Sequence, residues 1–193
     1  MNLPNKLTMI RILIIPVEVI VYLLKPIFPQ PLQWLCFIII GILFVIASLT
    51  DYFDGAIARK RNIVTTFGKF IDPLADKLLV ITTLLILTDA ALSLGYWLPF
   101  WIPAIIIARE LIVTSVRLVA VGAGKIIAAG KLGKSKTAVT MVAIILYLFL
   151  LPFSTSLFIR IPVYIIMGLA VFLTILSGWE YFSNNKSFIF ESK

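Results

Sequence analysis

Six apolar segments dominate this chain, roughly residues 7–24, 34–57, 71–91, 97–121, 136–152 and 160–182. Each runs about 17–25 residues, enough to cross ~30 Å of hydrocarbon as a helix. Hydrophobic residues make up 61% of the 193 positions and mean hydropathy is +1.09. A soluble core of this size could not hide so much apolar surface from water. The expected fold is therefore all-α: one polytopic membrane domain over residues 1–193 with six transmembrane helices. The breakers agree with that division. Pro26, Pro29 and Pro31 follow the first segment, Asp89 to Gly95 the third, and Pro152 the fifth. Pro162 is expected near the first helical position of the sixth, where its missing N–H costs little. Trp34, Trp97, Trp101, Trp179 and Tyr181 lie near segment ends, as interfacial aromatics do. Residues 1–6 lack the small-residue cleavage site of a signal peptide, so the first segment is expected to stay.

Six spans put both termini on one side. With span-end residues included, that side carries 15 of the 17 Lys and Arg, leaving Lys25 and Arg160 on the other. The positive-inside rule then puts both termini in the cytoplasm. The net charge of +8 is dispersed between apolar segments, so it points to orientation and to anionic lipid or phosphate, not to nucleic acid. The chain has no histidine and one cysteine. That removes His-based acid/base catalysis, His metal sites and intrachain disulfides. Cys36, inside an apolar run, reads as a buried structural thiol. Carboxylates remain as the main candidates for base and metal ligand.

The acidic residues are not dispersed. Four of the nine fall on a fixed grid: Asp51-x-x-Asp54-Gly55-x-x-Ala58-Arg59, then Gly68-x-x-x-Asp72-x-x-x-Asp76. Spacings of three and four put each pair on one helical face, and a short connection makes the two helices antiparallel neighbours. Four carboxylates at one spot repel unless cations lie between them. All-oxygen ligands suit Mg²⁺ or Mn²⁺, and four carboxylates suffice for two ions, the arrangement used for displacement at phosphorus. Gly55 and Ala58 clear one side of the helix for a bulky ligand, Gly68 opens the next, and Arg59 can grip a phosphate. The competing reading is interfacial salt bridging with Arg59, Lys60, Arg61, Lys69 and Lys77.

A second set is cationic. Arg109 and Arg117 are eight apart and share a helical face, which should point into a polar cavity because an arginine facing lipid is expensive. Lys134 and Lys136 begin the fifth segment. Together the four suit a dianionic phosphate. The lysines are equally open to a lipid-headgroup role. The stretch from Gly130 to Ser135 is not a phosphate loop, since Ala128 stands where that motif needs glycine.

The acidic grid matches D-x-x-D-G-x-x-A-R-x8-G-x-x-x-D-x-x-x-D at every position, and so resembles the signature of the CDP-alcohol phosphotransferases. With six spans, the resemblance covers essentially the whole chain. It implies that Asp51, Asp54, Asp72 and Asp76 hold two metal ions and that Asp76 is the general base for the acceptor hydroxyl. It implies a CDP-diacylglycerol site formed by Asp51, Gly55, Arg59 and Thr65, with room left by Ala58 and Gly68. Asn5 and Thr8, in the segment Pro4 to Thr8, are implied to lie over the nucleotide, Thr8 being equally suited to cap a helix. Together with Leu74-Ala75-Asp76-Lys77, the cationic set is most similar to bacterial members whose acceptor is sn-glycerol 3-phosphate. The acceptor site would then comprise Arg109, Arg117, Lys134 and Lys136. The implied product is a phosphatidylglycerol phosphate, with CMP released at the cytoplasmic side of the bacterial inner membrane by a homodimer. Inositol phosphate, serine or phosphatidylglycerol as acceptor are the alternatives. A divalent-cation transporter is the reading from another class, against which stand the one-sided acids and the lack of an internal repeat.

Overall fold

The computed structural model describes residues 3–61, 66–122, 130–150, 152 and 156–191, with side chains described at 7–30, 32–50, 71–122, 130–150, 152 and 156–185. Six helices follow one another: α1 (Leu3–Leu24), α2 (Trp34–Arg61), α3 (Thr66–Leu94), α4 (Trp101–Gly122), α5 (Lys131–Leu150) and α6 (Leu157–Glu191). Two 3-10 turns, Lys25–Ile27 and Gln30–Leu32, carry the proline-rich link between α1 and α2. No strand occurs among the described residues. Four of the helical stretches are long and apolar enough to cross a membrane, namely Leu7–Ile27, Ile71–Leu94, Lys131–Leu150 and Leu157–Asn185. Within α2 the stretch Trp34–Thr50 is also apolar. The α4 helix is mostly apolar, and its charged residues are Arg109, Glu110 and Arg117.

Two boundaries differ from the sequence reading. The α3 helix does not break at Asp89 but continues to Leu94. Asp89 accepts a hydrogen bond from Tyr22 Oη at 2.6 Å, so its carboxylate is satisfied without leaving the helix. The stop comes at Gly95, whose φ of 70° is a left-handed conformation that glycine adopts at little cost. The α6 helix begins at Leu157, so Pro162 lies inside it and not at its start. Ser156 carbonyl receives the N–H of both Ile159 and Arg160, which organises the first turn before the proline is reached.

Contacts along the helices give the topology. Tyr22 at the end of α1 meets Phe37 at the start of α2, ring centroids 6.3 Å apart, so these helices are antiparallel. Glu18–Thr83 and Tyr22–Asp89 show α1 and α3 running parallel. Tyr147 Oη donates to the Trp97 carbonyl at 2.8 Å, and Trp97 packs on Tyr164, tying α5 and α6 to the segment that leads into α4. One core runs through the bundle, with Ile14, Phe44, Leu79, Ile106, Ile144 and Met167 contributing from the six helices in turn. Outward faces remain apolar: Leu85, Leu92, Leu118, Ile165 and Phe172 are exposed. In a membrane protein such residues face lipid. Cys36 is buried, as expected of a structural thiol.

This arrangement separates the two ends. Lys25, stacked over Tyr22 and Phe37, and Arg160, over Tyr96, lie at one end. The polar cluster that contains Asp72, Asp76, Arg109 and Lys136 lies at the other.

Candidate active site

The cluster begins on α1. Thr8 is buried and donates its hydroxyl hydrogen bond to Asp72 Oδ1 on α3. Asp76 follows Asp72 by one helical turn, on the same face. Both are partly exposed, as carboxylates that meet a ligand must be. Next on α3, Lys77 donates to Thr114 Oγ1 of α4, and Thr114 in turn donates to the Glu110 carbonyl at 2.7 Å.

On α4, Glu110 organises the cations. Its Oε1 accepts from Arg109 Nη1 at 2.9 Å and also from Lys136 Nζ, which reaches across from α5. Two positive groups on one carboxylate oxygen neutralise it and fix the Arg109 guanidinium. Two glycines lie against that side chain. A Cβ on Gly178 of α6 would stand 3.3 Å from Arg109 Cγ, and one on Gly133 of α5 would stand 3.6 Å from Nη2. Arg117, two turns further on, lies over the Tyr181 ring of α6, 5.8 Å from its centroid.

These side chains surround a cavity of about 990 Å³ formed between α2, α3, α4, α5 and α6. Asp76, Arg109, Arg117 and Lys134 all line it. A carboxylate and three cations that the sequence spreads over some 60 residues thus converge on one space. Lys136 does not line it. That side chain is only 3% exposed and is taken up by Glu110. Asp72 stands one turn from Asp76 at the cavity's α1 side, tied to Thr8.

The remaining expected residues fall elsewhere. Asp51, Asp54, Gly55, Ala58 and Arg59 lie on the last turns of α2, and Gly68 on the first turn of α3. Their side chains, and that of Asn5, lie outside the described residues, as does Thr65 altogether. Among the described residues no group of three or more His, Cys, Asp or Glu could hold a metal ion. The described half of the acidic grid fits a hard divalent cation in its chemistry: Asp72 and Asp76 present only oxygen donors, one turn apart.

Several site residues escaped the sequence reading. Glu180, Asn184 and Asn185 line the same cavity, as do Lys77 and Thr114, to which the sequence assigned no place in the site. Arg11, three residues after Thr8, is completely buried, and Glu18, further along the same stripe of α1, is buried against Thr83 at 2.8 Å. A signal for the last two was present, since charges inside an apolar run are costly and need an inward-facing partner.

Comparison with known proteins identifies the family. The family model for CDP-alcohol phosphatidyltransferases matches residues 1–176. A Bacillus subtilis protein named CDP-diacylglycerol–glycerol-3-phosphate 3-phosphatidyltransferase is 44% identical, over 95% of each chain. A Rickettsia typhi protein of the same name is 37% identical over 97% of this chain and 98% of its own. A Mycobacterium tuberculosis protein named probable phosphatidylglycerophosphate synthase is 37% identical over 93% of this chain and 79% of its own.

Proposed function

The chain belongs to the CDP-alcohol phosphatidyltransferase family, and from that premise we propose that it transfers the phosphatidyl group of CDP-diacylglycerol to sn-glycerol 3-phosphate. The products are phosphatidylglycerol phosphate and CMP. The observation that carries the acceptor is the shared cavity: Asp76 opens into the same space as Arg109, Arg117 and Lys134. An acceptor bearing its own phosphate needs those cations, whereas serine does not.

The chemistry follows from that juxtaposition. Arg109, Arg117 and Lys134 hold the acceptor phosphate and leave its primary hydroxyl toward Asp76. Asp76 takes the hydroxyl proton, and the oxygen attacks the β-phosphorus of the donor in line. A phosphorus–oxygen bond forms to the acceptor as the bond to CMP breaks, and the electron pair leaves with CMP. Divalent cations bound by Asp51, Asp54, Asp72 and Asp76 would neutralise the pyrophosphate and stabilise the leaving group. Gly55, Arg59 and Thr65 are the residues we assign to the nucleotide, with Thr8 holding Asp72 in position from α1. Lys136 acts one step back, by fixing Glu110 and through it Arg109.

Location and assembly are parts of the same reading. The concentration of Lys and Arg at the Asp76 end supports a cytoplasmic active site with both termini on that side. Family resemblance supports a homodimer. The test is an acceptor panel with purified protein and CDP-diacylglycerol. CMP release should require glycerol 3-phosphate and fail with serine, inositol phosphate or phosphatidylglycerol. A preference for any of these overturns the acceptor. Activity that persists in excess EDTA overturns the metal ions.

A further inference from the structure

The cavity contains one carboxylate that nothing so far explains. Glu110 is engaged by Arg109 and Lys136, and Asp76 faces the reacting hydroxyl. Glu180, on α6, lines the same cavity, yet among the described residues it forms no ion pair and accepts no hydrogen bond. An acidic group beside a phosphate site weakens phosphate binding by repulsion, so its presence needs another chemical reason.

Its position supplies one. A Cβ on Gly130, just before α5, would stand 3.2 Å from Glu180 Oε2, so the carboxylate lies close against this glycine. Gly133, one turn along, lies against the Arg109 guanidinium, with its Cβ position 3.6 Å from Nη2. Carboxylate and guanidinium therefore lie against two glycines three residues apart, on the order of 5 Å, at the start of α5. A three-carbon phosphate spans that gap, with its phosphate at Arg109 and its middle carbon toward Glu180. An ionised carboxylate only accepts hydrogen bonds, and a hydroxyl is what it recognises in a polyol.

We propose that Glu180 recognises the secondary hydroxyl of a glycerol phosphate acceptor and so selects it over phosphorylated alcohols that lack that group. This rests on the acceptor reading given above. Glu180 is a specificity residue, separate from the base Asp76 and from the phosphate-holding cations.

The test is a comparison of two acceptors in two variants. Wild-type protein, Glu180→Ala and Glu180→Gln are assayed for CMP release with sn-glycerol 3-phosphate and with 3-hydroxypropyl phosphate, which lacks only the secondary hydroxyl. Wild-type protein should prefer glycerol 3-phosphate in kcat/KM by roughly 10- to 100-fold, the worth of a hydrogen bond to a charged acceptor. In Glu180→Ala the preference should collapse, because the loss falls on glycerol 3-phosphate alone. Glu180→Gln, close in shape, should narrow it and serves if the alanine variant is unstable. Equal losses on both acceptors, or a preference unchanged in both variants, overturn the assignment. CMP release with neither three-carbon phosphate, but with another acceptor, overturns the acceptor reading itself and this inference with it.

Discussion

Replacing Lys136 by methionine separates a charge that holds the site from one that holds the substrate. Lys136 is 3% exposed, and its ammonium group donates to Glu110 Oε1. Removing one partner of a buried pair typically costs about 3–5 kcal/mol, because the other charge is left uncompensated. Here Glu110 keeps Arg109 at 2.9 Å, which compensates part of its charge and brings the cost to or below the bottom of that range, about 2–3 kcal/mol. For a chain of this size that lowers Tm by roughly 4–12 °C. Glu110→Gln strands Lys136 and should cost a similar amount. The double variant Lys136→Met/Glu110→Gln removes both charges, so its loss should fall short of the sum by about 1–3 kcal/mol. Lys134 is the contrast. It is exposed and lines the cavity, so Lys134→Met should raise KM for glycerol 3-phosphate about tenfold while leaving Tm in place. The assays are thermal unfolding in detergent and acceptor titration of CMP release. If Lys136→Met raises KM without lowering Tm, or if the double variant is strictly additive, the pair is not what fixes Arg109.

Asp76→Asn removes the base while nearly conserving shape, so CMP release should fall by about 10²–10⁴ with Tm unchanged; near-wild-type release refutes the role. Thr8→Val deletes the hydroxyl that Asp72 accepts from, and should lower kcat/KM by roughly tenfold or more, measured across Mn²⁺ concentrations to expose weaker metal binding. Gly41→Ala tests the packing of α2 on α5. Its Cβ would stand 2.7 Å from the Phe149 ring, an overlap costing about 1–3 kcal/mol, and Phe149→Leu in the same protein should recover most of the lost Tm.

How much of this was legible beforehand depends on the residue. Arg109 and Arg117 were readable because a separation of eight returns to the same helical face, and the structure puts both on one cavity. Lys134 and Lys136 were grouped as one site, but residues two apart do not share a face. On α5 one of them therefore lines the cavity and the other turns to Glu110. Glu180 was invisible for a different reason. Nothing in the run Gly178 to Phe182 marks its acid as functional until Gly130, some 50 residues earlier, is brought against it by α5 and α6 packing. The misplaced break at Asp89 has a similar origin. An aspartate ends a helix when its side chain competes for local backbone, and here Tyr22 occupies it instead.

The polar groups of α1 explain why the site holds its geometry in a membrane. Lipid gives apolar helices no reason to prefer each other, so register must come from packing and from hydrogen bonds between helices. Along the parallel pair α1 and α3, three such bonds recur at nearly constant offset: Thr8 to Asp72, Thr83 to Glu18, and Tyr22 to Asp89. A slip of one residue would rotate α1 by about 100° and break all three together. The same offset sets Arg11, completely buried, level with Ala75 and Asp76, one turn below the bond between Thr8 and Asp72. A buried positive charge at that level would offset repulsion between Asp72 and Asp76 where water cannot. The described half of the acidic grid is thus met from α1 by a threonine bound to Asp72 and a buried arginine one turn on, some 60 residues away in sequence.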